Sequence, residues 1–119
     1  WSREAPRDVV TPQVAHFRLP FLDPAALITA SDMASEYPMC DRDPLPWWTR
    51  GRVTLLGDAA HPMYPVGSNG ASQAILDARC LADALAAEPV VPALAAYEAE
   101  RLPKTAAIVA SNRVGGPER

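Results

Sequence analysis

The chain has 119 residues, 49% of them hydrophobic and 21% charged, with a net charge of −3. That length suffices for one globular core and is short for two. The acidic balance argues against non-specific attachment to nucleic acid or to anionic lipid, and no apolar run approaches the ~20 residues of a membrane-spanning helix.

The expected partners therefore include no nucleic acid and no membrane. Cys40 and Cys80 lie in unlike contexts, without a CxxC pair or a His cluster beside them. They read as reduced thiols packed as small apolar groups, which points to the cytoplasm rather than to zinc or disulfides. The chain shows no secretory leader and does not begin with Met, so it reads as a fragment or a processed piece. Its 13 prolines gather in the first half and in the loops, where irregular connections are expected.

In chain order, Val9-Val10-Thr11 is consistent with a strand, but Pro6, Pro12, Pro20 and Pro24 interrupt any longer element. Asp23 followed by Pro24 predicts a capped helix start, with a short helix over 25–34 that buries Leu27, Ile28 and Ala34. Glu36 to Cys40 reads as extended, because Tyr37 precedes proline. Asp41 to Pro46 is a loop. Trp47 and Trp48 predict one packed ring and one partly exposed ring. Arg50-Gly51-Arg52 turns into Val53–Leu56, a run without alternation that predicts a strand buried on both faces.

From Ala71 the apolar series Ala71, Ala74, Ile75, Ala78, Leu81, Ala82 and Leu85 predicts an amphipathic helix ending near Glu88, with Gln73, Asp77 and Asp83 off the apolar stripe. A second helix is predicted from about Pro92 through Leu94, Tyr97, Leu102, Ile108 and Val109. Pro103 is expected to kink it. Glu100 and Lys104 stand in the favourable i, i+4 order. Gly115-Gly116-Pro117 ends the ordered part, and 115–119 is expected to be a disordered tail.

Between strand and helix lies the unusual stretch of the chain, Gly57 to Gln73, with three glycines, two prolines, one Asp and one His. A loop leaving the C-terminal end of a strand and entering a helix is the usual ligand position in α/β folds. Gly67 and Gly70 let backbone approach a ligand closely. Unpaired N–H groups near Gly70, Ala71 and Ser72, together with the helix dipole, favour negative charge there. Asp58 can accept hydrogen bonds from hydroxyls. The pattern suits a ligand with a polyol and a charge-accumulating ring, and equally a proline-rich turn before a capped helix.

The run GRVTLLGDAAHPMYPVGSNGASQAILDARCLADAL resembles the second flavin-binding motif of FAD-dependent aromatic hydroxylases, the single-component flavoprotein monooxygenases. With EYPMCDRDPLPWW before it and YEAERLPK after it, it is most similar to the salicylate-hydroxylase-like and phenazine-modifying branch. The resemblance is strong over 36–113. It implies an α/β fold: the C-terminal fragment of an FAD/NAD(P)-binding Rossmann-like fold, with substrate-domain strands, a buried strand, a cofactor loop and two long helices. Residues 1–50 would be the remainder of a substrate-binding domain (strand-helix-strand), and 51–114 the C-terminal part of the FAD-binding domain.

The resemblance further implies FAD as cofactor, with NADH or NADPH as reductant. Asp58 would hold the ribityl chain. Pro65, Val66 and Gly67 would lie beside the flavin ring, with Pro65 and Val66 at the edge of the substrate pocket and the Pro65 carbonyl toward the substrate. Gly70, Ala71 and Ser72 would direct backbone N–H groups at the pyrimidine end. The implied reaction passes one atom of O2 from reduced FAD to a small, electron-rich aromatic substrate, the cofactor carrying the chemistry. The N-terminal GxGxxG and the middle Asp-Gly motif are absent, so the chain looks like the C-terminal third of such an enzyme. The missing N-terminal part is then its expected partner, the isolated fragment is expected to be inactive, and self-association stays open.

No catalytic residue is expected in the chain. His61 is expected to be a hydrogen-bonded loop residue and His16 a surface one. Asp58 and His61 lack a third metal ligand. Asp77 and Arg79 read as solvated or capping neighbours, and Met39 as core. Tyr64 could line cofactor or core. Arg42 and Asp43 could brace the loop. A different reading of the chain is a non-catalytic module that binds a protein partner or itself. A hydrolase is disfavoured because no Ser-His-acid set can be assembled.

Overall fold

The computed structural model describes residues 3–114, so the tail expected at 115–119 lies outside it. The chain divides into two compact units, Trp1–Pro38 and Met39–Arg119. Residues 39–50 thus belong with the loop and helices that follow them. The described residues form a small α/β protein: one two-stranded sheet and four α-helices.

In the first unit, β1 (Arg3–Glu4) pairs antiparallel with β2 (Ser35–Glu36), Arg3 opposite Glu36 and Glu4 opposite Ser35. Helices α1 (Arg7–Val14) and α2 (Pro24–Ala30) pack together. The strand expected at Val9-Val10-Thr11 is helix. Its β-branched run is overridden by the turn that Pro6 starts, whose carbonyl accepts from Val9 N and Val10 N at 3.0 and 3.2 Å. α2 begins as its sequence predicts: Asp23 accepts from Ala26 N at 3.1 Å, with Pro24 in the first helical position. It ends at Ala30, short of Ala34. Ile28 and Ala34 are half-buried, whereas Leu27 is exposed.

The second unit is built on α3 (Asn69–Ala87) and α4 (Val90–Val114), which pack on one another along their length. α4 buries Ala93, Leu94, Tyr97, Arg101, Thr105 and Val109, one residue or two per turn on a single face. It stays helical through Pro103. Trp48, Ala60 and Tyr97 form the core, with Leu45, Leu55, Cys80, Leu81 and Leu102 against them. Trp48 stacks at a tilt on Tyr97, centroids 5.7 Å apart, and on His61 at 5.5 Å. Trp47 is half exposed, as the adjacent pair predicts.

The strand expected at Val53–Leu56 is absent. Arg50 and Val53 form one isolated bridge around the Gly51-Arg52 turn, and Thr54 to Leu56 run on without ladder partners among the described residues. Val53 is exposed, and Thr54, Leu55 and Leu56 are half-buried. An apolar run becomes a strand only where another strand completes its hydrogen bonds. Here Leu55 is held by Trp48 O through its N–H, at 3.2 Å, and by the Tyr97 hydroxyl at its carbonyl, at 3.1 Å.

Candidate functional site

The stretch from Gly57 to Ser68 is two short 3-10 turns, Gly57–Ala59 and Val66–Ser68, joined by an irregular segment and running directly into α3. Such backbone has few internal hydrogen bonds, so side chains must hold it. Arg42 donates to Ala59 O at 3.0 Å and to Ala60 O at 3.4 Å. Asn112, at the far end of α4, donates to Tyr64 O at 3.2 Å, and Asn69 to Val66 O at 3.3 Å. Arg42 therefore braces the loop through carbonyls. Asp43 instead pairs with Arg113, which also holds Asp41.

Beneath the loop lies a buried polar cluster. The Asp77 side chain is fully buried, with Oδ2 accepting from Gly57 N at 3.1 Å and from His61 Nε2 at 2.5 Å. Its Oδ1 accepts from Arg101 Nε at 2.7 Å, and Arg101 Nη2 donates onward to Gln73 Oε1 at 2.6 Å. Burial works to raise the Asp77 pKa. Hydrogen bonds from Arg101, His61 and the Gly57 N–H outweigh it and hold the carboxyl below its ordinary value. The ionised carboxylate makes His61 Nε2 a donor; His61 Nδ1 is buried with no hydrogen-bond partner among the described residues. Burial first, then the Asp77 charge, pushes the nearby Tyr97 hydroxyl far above the usual phenol range.

His61 is buried and hydrogen-bonded, to Asp77 of α3 rather than within the loop. The reading of Asp77 as a solvated or capping residue is overturned. The expected helix stripe is also rotated. Gln73, Ala74, Asp77, Cys80, Leu81 and Ala84 form the inward face of α3, while Ile75 and Leu85 are exposed. Apolar residues alone set the predicted face, and the true face carries two polar side chains whose partners sit on α4 and in the loop. Met39 is exposed rather than core, Tyr64 is half-buried, and His16 and Arg79 are exposed as expected.

The expected ligand-facing residues range from half-buried to exposed. Asp58 is exposed, and no hydrogen bond among the described residues engages its carboxylate. Pro65 is exposed, with its carbonyl accepting from Ser68 N at 3.2 Å. Val66 is half-buried. Gly67 has φ +68°, and Ser68 follows at φ +55°, the left-handed region that favours glycine. Ser68 is the N-cap of α3 and makes no side-chain cap hydrogen bond, so the amide end of the helix is left open. Gly70 is half-buried, with no atom within 4 Å of where a Cβ would stand, and Ala71 and Ser72 are exposed. An exposed acceptor and an uncapped helix N-terminus, held by one buried cluster, can take hydroxyls at one end and negative charge at the other.

A family model described as an FAD binding domain matches residues 3–112. The chain belongs to the FAD-binding domain family. It is 54% identical over 114 residues to phenazine 1,6-dicarboxylic acid hydroxylase PhzS of Lysobacter antibioticus, an alignment that covers 95% of this chain and 28% of the relative. It is 48% identical over 91 residues to 3-hydroxybenzoate 6-hydroxylase 1 of Aquipseudomonas alcaligenes, covering 76% of this chain and 23% of that one. The crystal structure of Klebsiella pneumoniae HpxO complexed with FAD and uric acid superposes with a TM-score of 0.75 at 29% identity, over 92% of this chain and 29% of HpxO. The chain spans less than a third of the length of the relatives it matches.

Among the described residues no cluster of His, Cys, Asp and Glu is placed to hold a metal ion, and no helix is long and apolar enough to cross a membrane. Asp77, Gln73 and Arg101 form a unit that the apolar pattern of the sequence does not reveal. The signal was their spacing: Gln73 and Asp77 are i, i+4 on one helix, and Tyr97 and Arg101 are i, i+4 on the next.

Proposed function

We propose that this chain forms part of the FAD site of a cytoplasmic flavin-dependent monooxygenase that hydroxylates a small aromatic substrate with NADH or NADPH and O2. The observation that carries the proposal is the open amide end of α3 beside a loop whose Asp58 carboxylate is exposed and unengaged. The groups present fit a flavin: a carboxylate suits ribityl hydroxyls, and a bare helix N-terminus suits the pyrimidine end, where reduction accumulates negative charge. Bound FAD would supply the redox chemistry, and the chain's residues bind, orient and exclude water. Asp58 accepts from the ribityl chain. Pro65, Val66 and Gly67 lie along the ring, with Pro65 and Val66 at the edge of the aromatic pocket. Gly70, Ala71 and Ser72 present their backbone to the pyrimidine.

The supporting relatives are hydroxylases by name, acting on phenazine 1,6-dicarboxylic acid and 3-hydroxybenzoate. On this reading the Rossmann-like sheet and its GxGxxG belong to a further, N-terminal portion of the enzyme, and this chain alone is inactive. The test is absorbance spectroscopy of the purified enzyme that carries this chain. Bound flavin near one equivalent is expected; a colourless protein that takes up no added FAD refutes the proposal.

The exposed apolar side chains of Ile75, Leu76 and Leu85 on α3 favour a second reading for the isolated chain, as a module that binds protein or itself. Light scattering on the 119-residue chain distinguishes self-association from a monomer awaiting its N-terminal portion.

A further inference from the structure

Three segments distant in sequence meet at one fully buried carboxylate. The loop meets it through the Gly57 amide and His61, at 3.1 and 2.5 Å, and α4 meets it through Arg101 Nε at 2.7 Å. The carboxylate itself belongs to the middle of α3. Arg101 then returns to α3 at Gln73, the residue after Ser72. Gly57 is the residue before Asp58. So one hydrogen-bonded series, from the Gly57 backbone N–H through the side chains of Asp77, Arg101 and Gln73, runs from the neighbour of the proposed ribityl acceptor to the neighbour of the proposed ring-facing amides. None of these four residues is among those proposed to face the flavin.

From this geometry we propose that Asp77, locked by Arg101, is a positioning residue that sets the place of Asp58 relative to the Gly70–Ser72 amides. The proposal rests on the FAD reading above. The carboxylate is suited to the task because it is acceptor-only and can take three donors at once. An amide in its place keeps the shape, but its NH2 must face either the Gly57 N–H and the His61 Nε2–H or, flipped, Arg101 Nε, donor against donor in both orientations. One orientation moves the loop off Asp77 and the other frees Asp77 from Arg101, and either way the place of Asp58 is no longer fixed.

The test is Asp77→Asn in the flavin-loaded enzyme that carries this chain, with Arg79→Ala on the exposed face of α3 as the control. Expected for Asp77→Asn are at least tenfold weaker FAD binding, a more negative flavin reduction potential and faster hydrogen exchange at the Gly57 amide. Arg79→Ala should leave all three unchanged. The potential separates positioning from simple loss of stability, since a well-folded but misplaced helix end no longer faces the reduced ring. Should Asp77→Asn fail to fold, Gln73→Leu leaves the carboxylate and its three donors in place and cuts only the last link; about threefold weaker FAD binding is expected. A flavin-loaded enzyme in which whichever variant folds keeps the parental affinity and potential overturns the positioning role alone. An unmodified enzyme that holds no flavin overturns the FAD reading and the positioning role with it.

Discussion

Gly57 carries the sharpest stability prediction. Its φ is +59°, and a Cβ there would stand 3.3 Å from the Ala74 Cβ. Both atoms would be fixed to backbone, one to the loop and one to α3, so no side-chain rotation can relieve the contact. A left-handed φ costs a non-glycine residue about 1–2 kcal/mol. Crowding a packed contact adds about 1–2 kcal/mol, at the low end of overpacking costs. Gly57→Ala is thus expected to destabilise by about 2–4 kcal/mol. Gly51 supplies the internal reference, since its φ is +62° but no atom lies within 4 Å of its Cβ position. Gly51→Ala is expected to cost about 1–2 kcal/mol, the conformational part alone. In urea denaturation the two midpoints should separate, and on heating each kcal/mol should shift Tm by about 4–8 °C in a unit of this size. Equal losses in the two variants would refute the claim that loop and α3 are in rigid contact at Gly57.

Asp58→Ala should weaken FAD retention by about 1–3 kcal/mol, read by flavin titration of the apoenzyme, with Tm unchanged because the carboxylate is exposed. Trp48→Ala should cost about 3–5 kcal/mol in denaturant titration, since the ring is 3% exposed, whereas Trp47→Ala, at 52%, should cost far less. Stability should also fall in acid. The Asp77 pKa is depressed in the fold, so its contribution is present above the unfolded carboxylate value of about 3.9 and is lost as pH falls below that toward the folded value. Urea midpoints taken between pH 6 and pH 2 should show this loss, and Asp77→Asn should flatten it.

The local signals in the sequence were legible where one residue's own chemistry decides. Asp23-Pro24 starts α2, the Trp47-Trp48 pair divides into exposed and buried rings, and Glu100 meets Lys104 at 3.0 Å. The position of the glycine-rich loop between an apolar run and α3 was legible too. The outcome at Val53–Leu56 was not, because a strand is a property of two segments and one segment cannot supply its own ladder. Val9-Val10-Thr11 misled for the opposite reason: strand propensity is a preference for a half-buried pleated surface, and the turn begun at Pro6 gives those residues a helix instead.

The face of α3 was illegible for a deeper reason. Hydrophobic periodicity locates a buried face only when burial is apolar, and here the inward face carries Gln73 and Asp77 while Ile75 points out. Buried ion pairs are poor evidence for stability, because well-packed apolar replacements often do as well. That generalisation separates two explanations for Asp77. If its work were only to fill the space between α3 and α4, a leucine there with an apolar partner at 101 could serve. No apolar side chain, however, can accept the Gly57 N–H and the His61 Nε2–H, both of which end at Oδ2. Leaving a buried donor unpaired costs about 1–3 kcal/mol each, and the loop would shift to recover water before bearing that. A charged residue at 77 is therefore explained by where it puts the loop rather than by how firmly it joins the helices. On the proposed FAD reading, the exposed Asp58 and the open end of α3 are the two places where that position matters.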